Sequence, residues 1–353
     1  NFADLLCYHS LTVAFEAFTT NGGAKFYRDL SAQALYLNER HRWTWGLAGG
    51  QTPLVGGEFT RTLSVVGGRP VVLDQDTTLW QMNRQVVGVL AYPFSRAQRV
   101  EFTAGFNNIA YAAEQRSQLF DLTTGAQLSN EKQNVPAPPA LNFAAATAAL
   151  VYDTSIFGGV SPILGQSYRV QLGFDAGSLT YQTVLLDYRR YLPITRPLSF
   201  AVRGMGFGRY GSGSGDPRLQ QLYLGEAPVV RGYDFSSIGV EECGPGFAAS
   251  GNCPLLDRLV GSKIAAVNAE LRLELFGPLG WIGSPQVPPV ELAPFYDAGT
   301  AWTSPGPRRP VTSQGLVLRV NLLGYAIASI DYALPNQRPL RSHVWEFSLQ
   351  PGY

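Results

Sequence analysis

Hydrophobic and polar positions alternate along most of this chain with a period of two. In SYRVQLGFDAG, Tyr168, Val170, Leu172 and Phe174 point one way, and Arg169, Gln171, Gly173 and Asp175 the other. In AVNAELRLEL, Val267, Ala269, Leu271, Leu273 and Leu275 alternate with Asn268, Glu270, Arg272 and Glu274. In GLVLRVNLLG, Leu316, Leu318, Val320 and Leu322 alternate with Val317, Arg319 and Asn321. A period of two is the signature of a strand with two unlike faces, and helical periodicity is nearly absent. Similar segments recur near 10–18, 28–38, 41–50, 58–66, 77–93, 98–113, 141–153, 179–191, 197–208, 290–302, 325–334 and 343–353. The pattern predicts about fifteen strands, joined mostly by short polar turns such as Asn38–His41 and Ala176–Ser178.

Alternation suits a soluble sandwich as well as a membrane barrel. Two features favour the barrel. One face carries aromatics near strand ends (Trp43, Trp45, Tyr188, Tyr332, Trp345, Tyr353), where an interfacial girdle would place them. The opposite face holds Arg, Asp, Glu, Asn and Gln, which fits a wet lumen better than a packed core. The expected fold is all-β, a transmembrane antiparallel β-barrel. Outer-membrane barrels have even strand numbers, so sixteen strands are expected, with a single barrel domain over 1–353.

Composition narrows the function. Only 15% of the 353 residues are charged, and the net charge is +1. That balance argues against a nucleic-acid-binding surface, which needs a basic excess to replace counterions on phosphate, so no nucleic-acid partner is expected. No run of about 18 apolar residues offers a transmembrane helix. The three histidines, His9, His41 and His343, are scattered, and no Gly-x-Ser-x-Gly elbow is present. The reading is therefore non-enzymatic, with no cofactor and no metal site expected.

The longest connection, 209–260, is rich in Gly, Pro and Ser, yet contains PVVRGYDF. Arg231 there stands between two valines and Gly232-Tyr233, as if built for burial. The same loop contains ECGPGFAASGNCP. Cys243 and Cys253 at this spacing close readily as a local disulfide in an oxidising compartment; two unpaired thiols are the alternative. Cys7 is left without a partner. At the chain end, HVWEFSLQPGY puts Trp345, Phe347, Leu349 and Tyr353 on one face, which resembles the C-terminal sorting strand of bacterial outer-membrane barrels.

Four stretches together resemble the BamA–TamA–TpsB superfamily, the bacterial surface antigen barrels. PVVRGYDF is similar to its VRGF/VRGY loop signature. PFYDAGTAW is similar to its second signature at Phe295, Asp297 and Gly299, and GSKIAAVNAELRLEL to its Asn-x-Glu-Leu-Arg strand. The C-terminal strand agrees. The resemblance covers roughly 196–353 and is weaker upstream, where LVYDTS and LLDYRRYL support it. It implies that the long loop, the sixth extracellular one, folds into the lumen. Arg231 would pair there with Asp297, with Glu270 as a second carboxylate, Gly232 allowing the turn and Tyr233 packing on the wall.

The resemblance also implies function: a bacterial outer-membrane barrel, in contact with membrane lipid and lipopolysaccharide, that inserts or exports client polypeptides. A weak seam between the first and last strands would template a client strand, and Pro351 and Gly352 shorten that seam. Working members carry periplasmic domains that collect clients; no such repeat domain lies within these residues, and the insertase reading depends on one elsewhere in the full protein. The alternative is a structural or scaffold barrel that anchors a periplasmic or surface partner, with 236–258 and the Pro-rich 134–140 as candidate partner surfaces.

Overall fold

A computed structural model describes residues 2–3, 8–17, 30–226, 229–245, 247, 253–283, 287–303 and 308–351. Cys7, Pro228, Gly352 and Tyr353 lie outside the described residues.

The chain is almost entirely strand. Fifteen strands have eight or more residues: β1 (His9–Ala17), β2 (Leu30–Asn38), β3 (Thr44–Val66), β4 (Arg69–Pro93), β5 (Gln98–Asp121), β6 (Gln127–Val135), β7 (Leu141–Asp153), β8 (Pro162–Gly177), β9 (Tyr181–Thr195), β10 (Leu198–Tyr210), β11 (Lys263–Gly277), β12 (Val290–Trp302), β13 (Val311–Leu322), β14 (Ala326–Pro335) and β15 (Val344–Pro351). The expected sixteen is not reached among the described residues; the further strands are two-residue bridges.

The strands fall into two compact units. One comprises Asn1–Tyr92, Glu101–Thr147 and Phe174–Thr180; the other Pro93–Val100, Ala148–Gly173 and Tyr181–Tyr353.

In the first unit β1, β2, β3 and β4 pair antiparallel in sequence. The β3–β4 hairpin turns at Gly67-Gly68, with Val66 opposite Arg69. Both glycines have positive φ (59° and 80°), the conformation a two-residue hairpin with the right strand twist requires. The two strands have 23 and 25 residues, far beyond the roughly 9–11 that span a bilayer. The sequence pattern gives 41–50 and 58–66 as separate segments, with Pro53 and Gly56-Gly57 between them. Pro53 is in fact within the ladder, opposite Met82. Among the described residues β3 pairs with β2 only as far as Gln51, so Pro53 stands where its missing N–H costs little.

Strand β6 was not anticipated, because QLSNEKQNV has no apolar alternation. Backbone pairing to β5 forms it, from Ala113 opposite Val135 to Phe120 opposite Gln127. Asp121 sets the turn by accepting hydrogen bonds from the Thr123 and Thr124 amides at 2.8 and 3.0 Å.

In the second unit β9 through β15 form a continuous antiparallel meander. Its two faces follow the alternation. Val267, Tyr296, Leu316, Ile330, Trp345, Phe347 and Leu349 are exposed on one face. Asn268, Glu270, Asp297, Ser313 and Asp331 are buried on the other. Tyr332 is half-buried between the rings of His343 and Trp345.

What covers the polar face is the connection between β10 and β11. It brings its own apolar cluster, in which Leu224, Val229, Val230, Tyr233, Leu255 and Leu259 pack on Ile264, Ala266, Ala301 and Val311. Cys243 and Cys253 belong to this cluster and are disulfide-bonded. Short local pairings satisfy its buried backbone, as in Leu222 opposite Gly261 and the Leu224 amide on the Leu259 carbonyl at 2.8 Å.

Candidate functional site: the arginine at the loop tip

Register places the acceptors. Asn268 on β11 stands directly opposite Asp297 on β12, and Glu270 opposite Phe295. The alternation turns Asn268, Glu270 and Asp297 to the face that the loop covers. Asp297 is completely buried, so its charge requires a partner held in place.

Arg231 is that partner. Its Nε lies 2.8 Å from Asp297 Oδ2, its Nη2 2.8 Å from Oδ1, and its backbone amide 3.2 Å from Oδ2. The third nitrogen, Nη1, donates to Glu270 Oε1 at 2.7 Å. The planar fork meets two carboxylates at once, a geometry lysine lacks. The guanidinium also lies 3.6 Å from the centroid of the Phe295 ring, a cation–π contact. Asn268 Nδ2 bridges Asp297 Oδ1 (2.9 Å) and the Val229 carbonyl (2.8 Å), so the wall grips the loop backbone too.

Glu270 is shared. It accepts from Arg272 Nε at 2.8 Å and from Arg319 Nη2 at 2.7 Å, and Arg319 continues to Glu291 at 2.7 Å. Three arginines thus face three carboxylates: Arg231, Arg272 and Arg319 against Asp297, Glu270 and Glu291. The network is neutral within itself, the condition under which buried charges are tolerated.

The glycines have steric reasons. Gly232 has φ of 87°, and a Cβ there would stand 3.1 Å from the Ala333 Cβ. At Gly299 a Cβ would come within 2.8 Å of Val230 Cγ2 and 2.9 Å of Leu224 Cδ1. Glycine at 299 therefore lets the valine before Arg231 reach the wall.

Tyr233 is fully buried. Its hydroxyl lies 3.0 Å from the Thr312 carbonyl and 2.8 Å from Gln337 Oε1, and accepts from the Gln337 amide at 3.1 Å. Burial pushes that hydroxyl up to about 12, so it stays neutral.

A second ion pair was not legible in the sequence. Arg338, between β14 and β15, donates from Nε to Glu242 Oε2 at 2.9 Å and pairs through Nη2 with Glu242 Oε1. Both side chains are fully buried. Arg338 also donates to the Gly232 carbonyl at 3.0 Å and to Ser237 Oγ at 2.8 Å. Hydrogen bonding to Arg338 holds the Glu242 carboxyl below the usual carboxylate range. No local pattern links residues 96 apart, and only the folded loop brings them together. Finally, the Gly232 amide donates to Glu346 Oε1 at 2.7 Å, which ties the loop tip to the last strand. On that strand Trp345, Phe347 and Leu349 face outward, and Ser348 Oγ meets Ser329 Oγ at 2.7 Å on the other face.

Residues 146–350, more than half of the chain, match the model of the Omp85 superfamily domain. The chain belongs to the Omp85 superfamily. Omp85 proteins are outer-membrane barrels that assemble or transport other proteins, so the outer membrane of a Gram-negative bacterium is the site of this one. Among solved structures, the chain is similar to BamA from Haemophilus ducreyi lacking POTRA domains 1–3, with a TM-score of 0.53 and 14% identity over 98% of this chain and 70% of that one. CdiB from Acinetobacter baumannii matches with a TM-score of 0.46 and 14% identity over 92% of this chain and 50% of that one. CdiB from Escherichia coli gives 0.46 and 12% over 98% and 62%. At these identities the BamA likeness speaks for the fold alone.

Proposed function

We propose that this Omp85 barrel inserts or exports client polypeptides at the outer membrane, and that the Arg231 network holds the long loop in the lumen as the device that sets the resting state. The observation that carries the reading is the double attachment of the loop tip. Arg231 is fixed to Asp297 and Glu270 on the wall, and Gly232 is fixed to Glu346 on the last strand. A loop anchored to the last strand couples lumen occupancy to the strand whose edge would template a client.

On this reading residues 1–353 act as one barrel domain. The loop-lock residues are Arg231, Gly232, Tyr233, Glu270, Asp297 and Gly299, with the Cys243–Cys253 bridge bracing the loop. Trp345, Phe347, Leu349 and Tyr353 serve the sorting of the barrel itself. The apolar outer face is set against lipid and lipopolysaccharide, and chemistry on covalent bonds has no part in the mechanism.

The test is depletion of the protein followed by quantitative mass spectrometry of outer-membrane barrels. A broad fall in their abundance, reproduced by Arg231→Ala, is expected of an insertase. Steady levels of all other barrels exclude general insertion and leave a dedicated exporter or a scaffold.

A further inference from the structure

The last two strands carry a carboxylate pair that the arginine network does not neutralise. Asp331 on β14 and Glu346 on β15 are direct cross-strand partners. Like charges in that position repel, at side-chain separations of about 5 Å. Asp331 is 8% exposed, and its Oδ1 has no hydrogen-bond partner. Glu346 gives Oε1 to the Gly232 amide, and its buried Oε2 has none. The three arginines of the network are matched by Asp297, Glu270 and Glu291, and neither Asp331 nor Glu346 forms an ion pair with them.

These two residues line a cavity of about 280 Å³ between the loop and the last strand. Asp234 and the hydroxyl-bearing Ser236, Ser237 and Ser348 complete its polar lining. At about 30 Å³ per water, the space takes the end of one long side chain. Buried carboxylate oxygens without donors are costly, and an organic cation supplies what is missing: three N–H donors on an ammonium, five on a guanidinium. Among the described residues no three carboxylate, imidazole or thiol groups are placed to hold a metal ion.

We propose that the Asp331–Glu346 cavity receives a lysine or arginine side chain of a polypeptide engaged at the last strand. The inference rests on the client-handling reading above and deepens it: the clients carry a cationic residue on the strand that faces the lumen. The carboxylates are left unneutralised because the neutralising charge arrives with the client. Glu346 lines the cavity and holds the Gly232 amide, so occupancy is felt at the loop tip.

The test uses the full-length protein in lipid nanodiscs and a fluorescein-labelled, end-capped nonapeptide of alternating valine and lysine. A second peptide has every lysine acetylated, which removes the charge at nearly constant shape. Binding is read by anisotropy. The expected result is at least about a tenfold loss on acetylation for the native protein, falling to about threefold or less for Asp331→Asn/Glu346→Gln. Glu58→Gln, at an exposed position, controls for general surface charge and should leave the tenfold difference intact. Asp331→Asn alone should reduce the discrimination, which keeps the test decisive if the double variant does not fold. Equal binding of both peptides, or full discrimination in the variants, overturns the proposal. Spermidine that binds with the same variant dependence while the peptide does not bind overturns the polypeptide assignment in favour of a free polyamine. Charge-dependent peptide binding combined with an unchanged outer-membrane proteome on depletion sinks the insertion reading and leaves the site standing; the reverse combination sinks the site alone.

Discussion

Replacing Arg231 by alanine should release the loop tip, and the structure says where the cost falls. The Arg231 side chain is 7% exposed, and its partners Asp297 and Glu270 are 1% and 9% exposed. Glu270 loses least, because Arg272 and Arg319 still donate to it. Asp297 keeps only the Asn268 amide among side-chain donors and the residue-231 backbone amide at 3.2 Å, and is left as a buried charge with no cation beside it. Breaking a buried pair from one side costs about 3–5 kcal/mol, most of it the stranded charge. At about 1.4 kcal/mol per factor of ten, the loop would open more than about a hundredfold more often. Hydrogen exchange of the amides at 229–237 in nanodiscs reads that opening directly. Arg231→Ala/Asp297→Asn is the decisive companion. It removes the stranded charge, so its exchange should be slower than that of Arg231→Ala alone, by about 0.5–3 kcal/mol of coupling. Exchange within about threefold of the native protein in Arg231→Ala, or no recovery in the double variant, would refute the argument that a stranded Asp297 charge governs the loop.

Three further outcomes follow from the same geometry. Gly299→Ala puts a Cβ against Val230 and Leu224, which should cost about 1–3 kcal/mol in loop docking; Val230→Ala should recover part of it, as measured by the same exchange. Glu242 has a depressed carboxyl, so its contribution to loop stability is fully present above the ordinary carboxylate range and lost as pH falls through the lower folded value. Protease cleavage at 236–245 should therefore rise on acidification from pH 7 to about 3, and the contribution of Glu242 to that rise should vanish in Glu242→Gln. Reducing Cys243–Cys253, which closes a loop with a sequence separation of 10, should loosen the segment by about 2–3 kcal/mol and raise protease access there without disturbing β9–β15.

Strand type and facing were legible because period-two alternation is a local property that each strand carries in itself. AVNAELRLEL showed Asn268 and Glu270 on one face without reference to any neighbour, and β11 keeps that facing. Extent was less legible. Pro53 and Gly56-Gly57 carried the local signal of a turn, yet β4 pairs with β3 straight through them, and β6 is held by pairing where its side chains give no pattern. Ladder hydrogen bonds between strands override a weak local preference, which is why long hairpins defeat segment-by-segment reading.

The sequence by itself determined an all-β chain with one apolar and one polar strand face, a Gly-rich loop with an arginine made for burial, and two cysteines close enough to bridge. These are properties of composition and short-range order. Only the tertiary structure decided that Arg338 would meet Glu242 across 96 positions, that Glu346 would hold the Gly232 amide, and that Asp331 would be left without a donor beside it. Such contacts depend on the register of the strands and on where a long loop comes to rest. Both are set by the summed packing of the loop cluster on β10–β13, which no single stretch of the chain encodes.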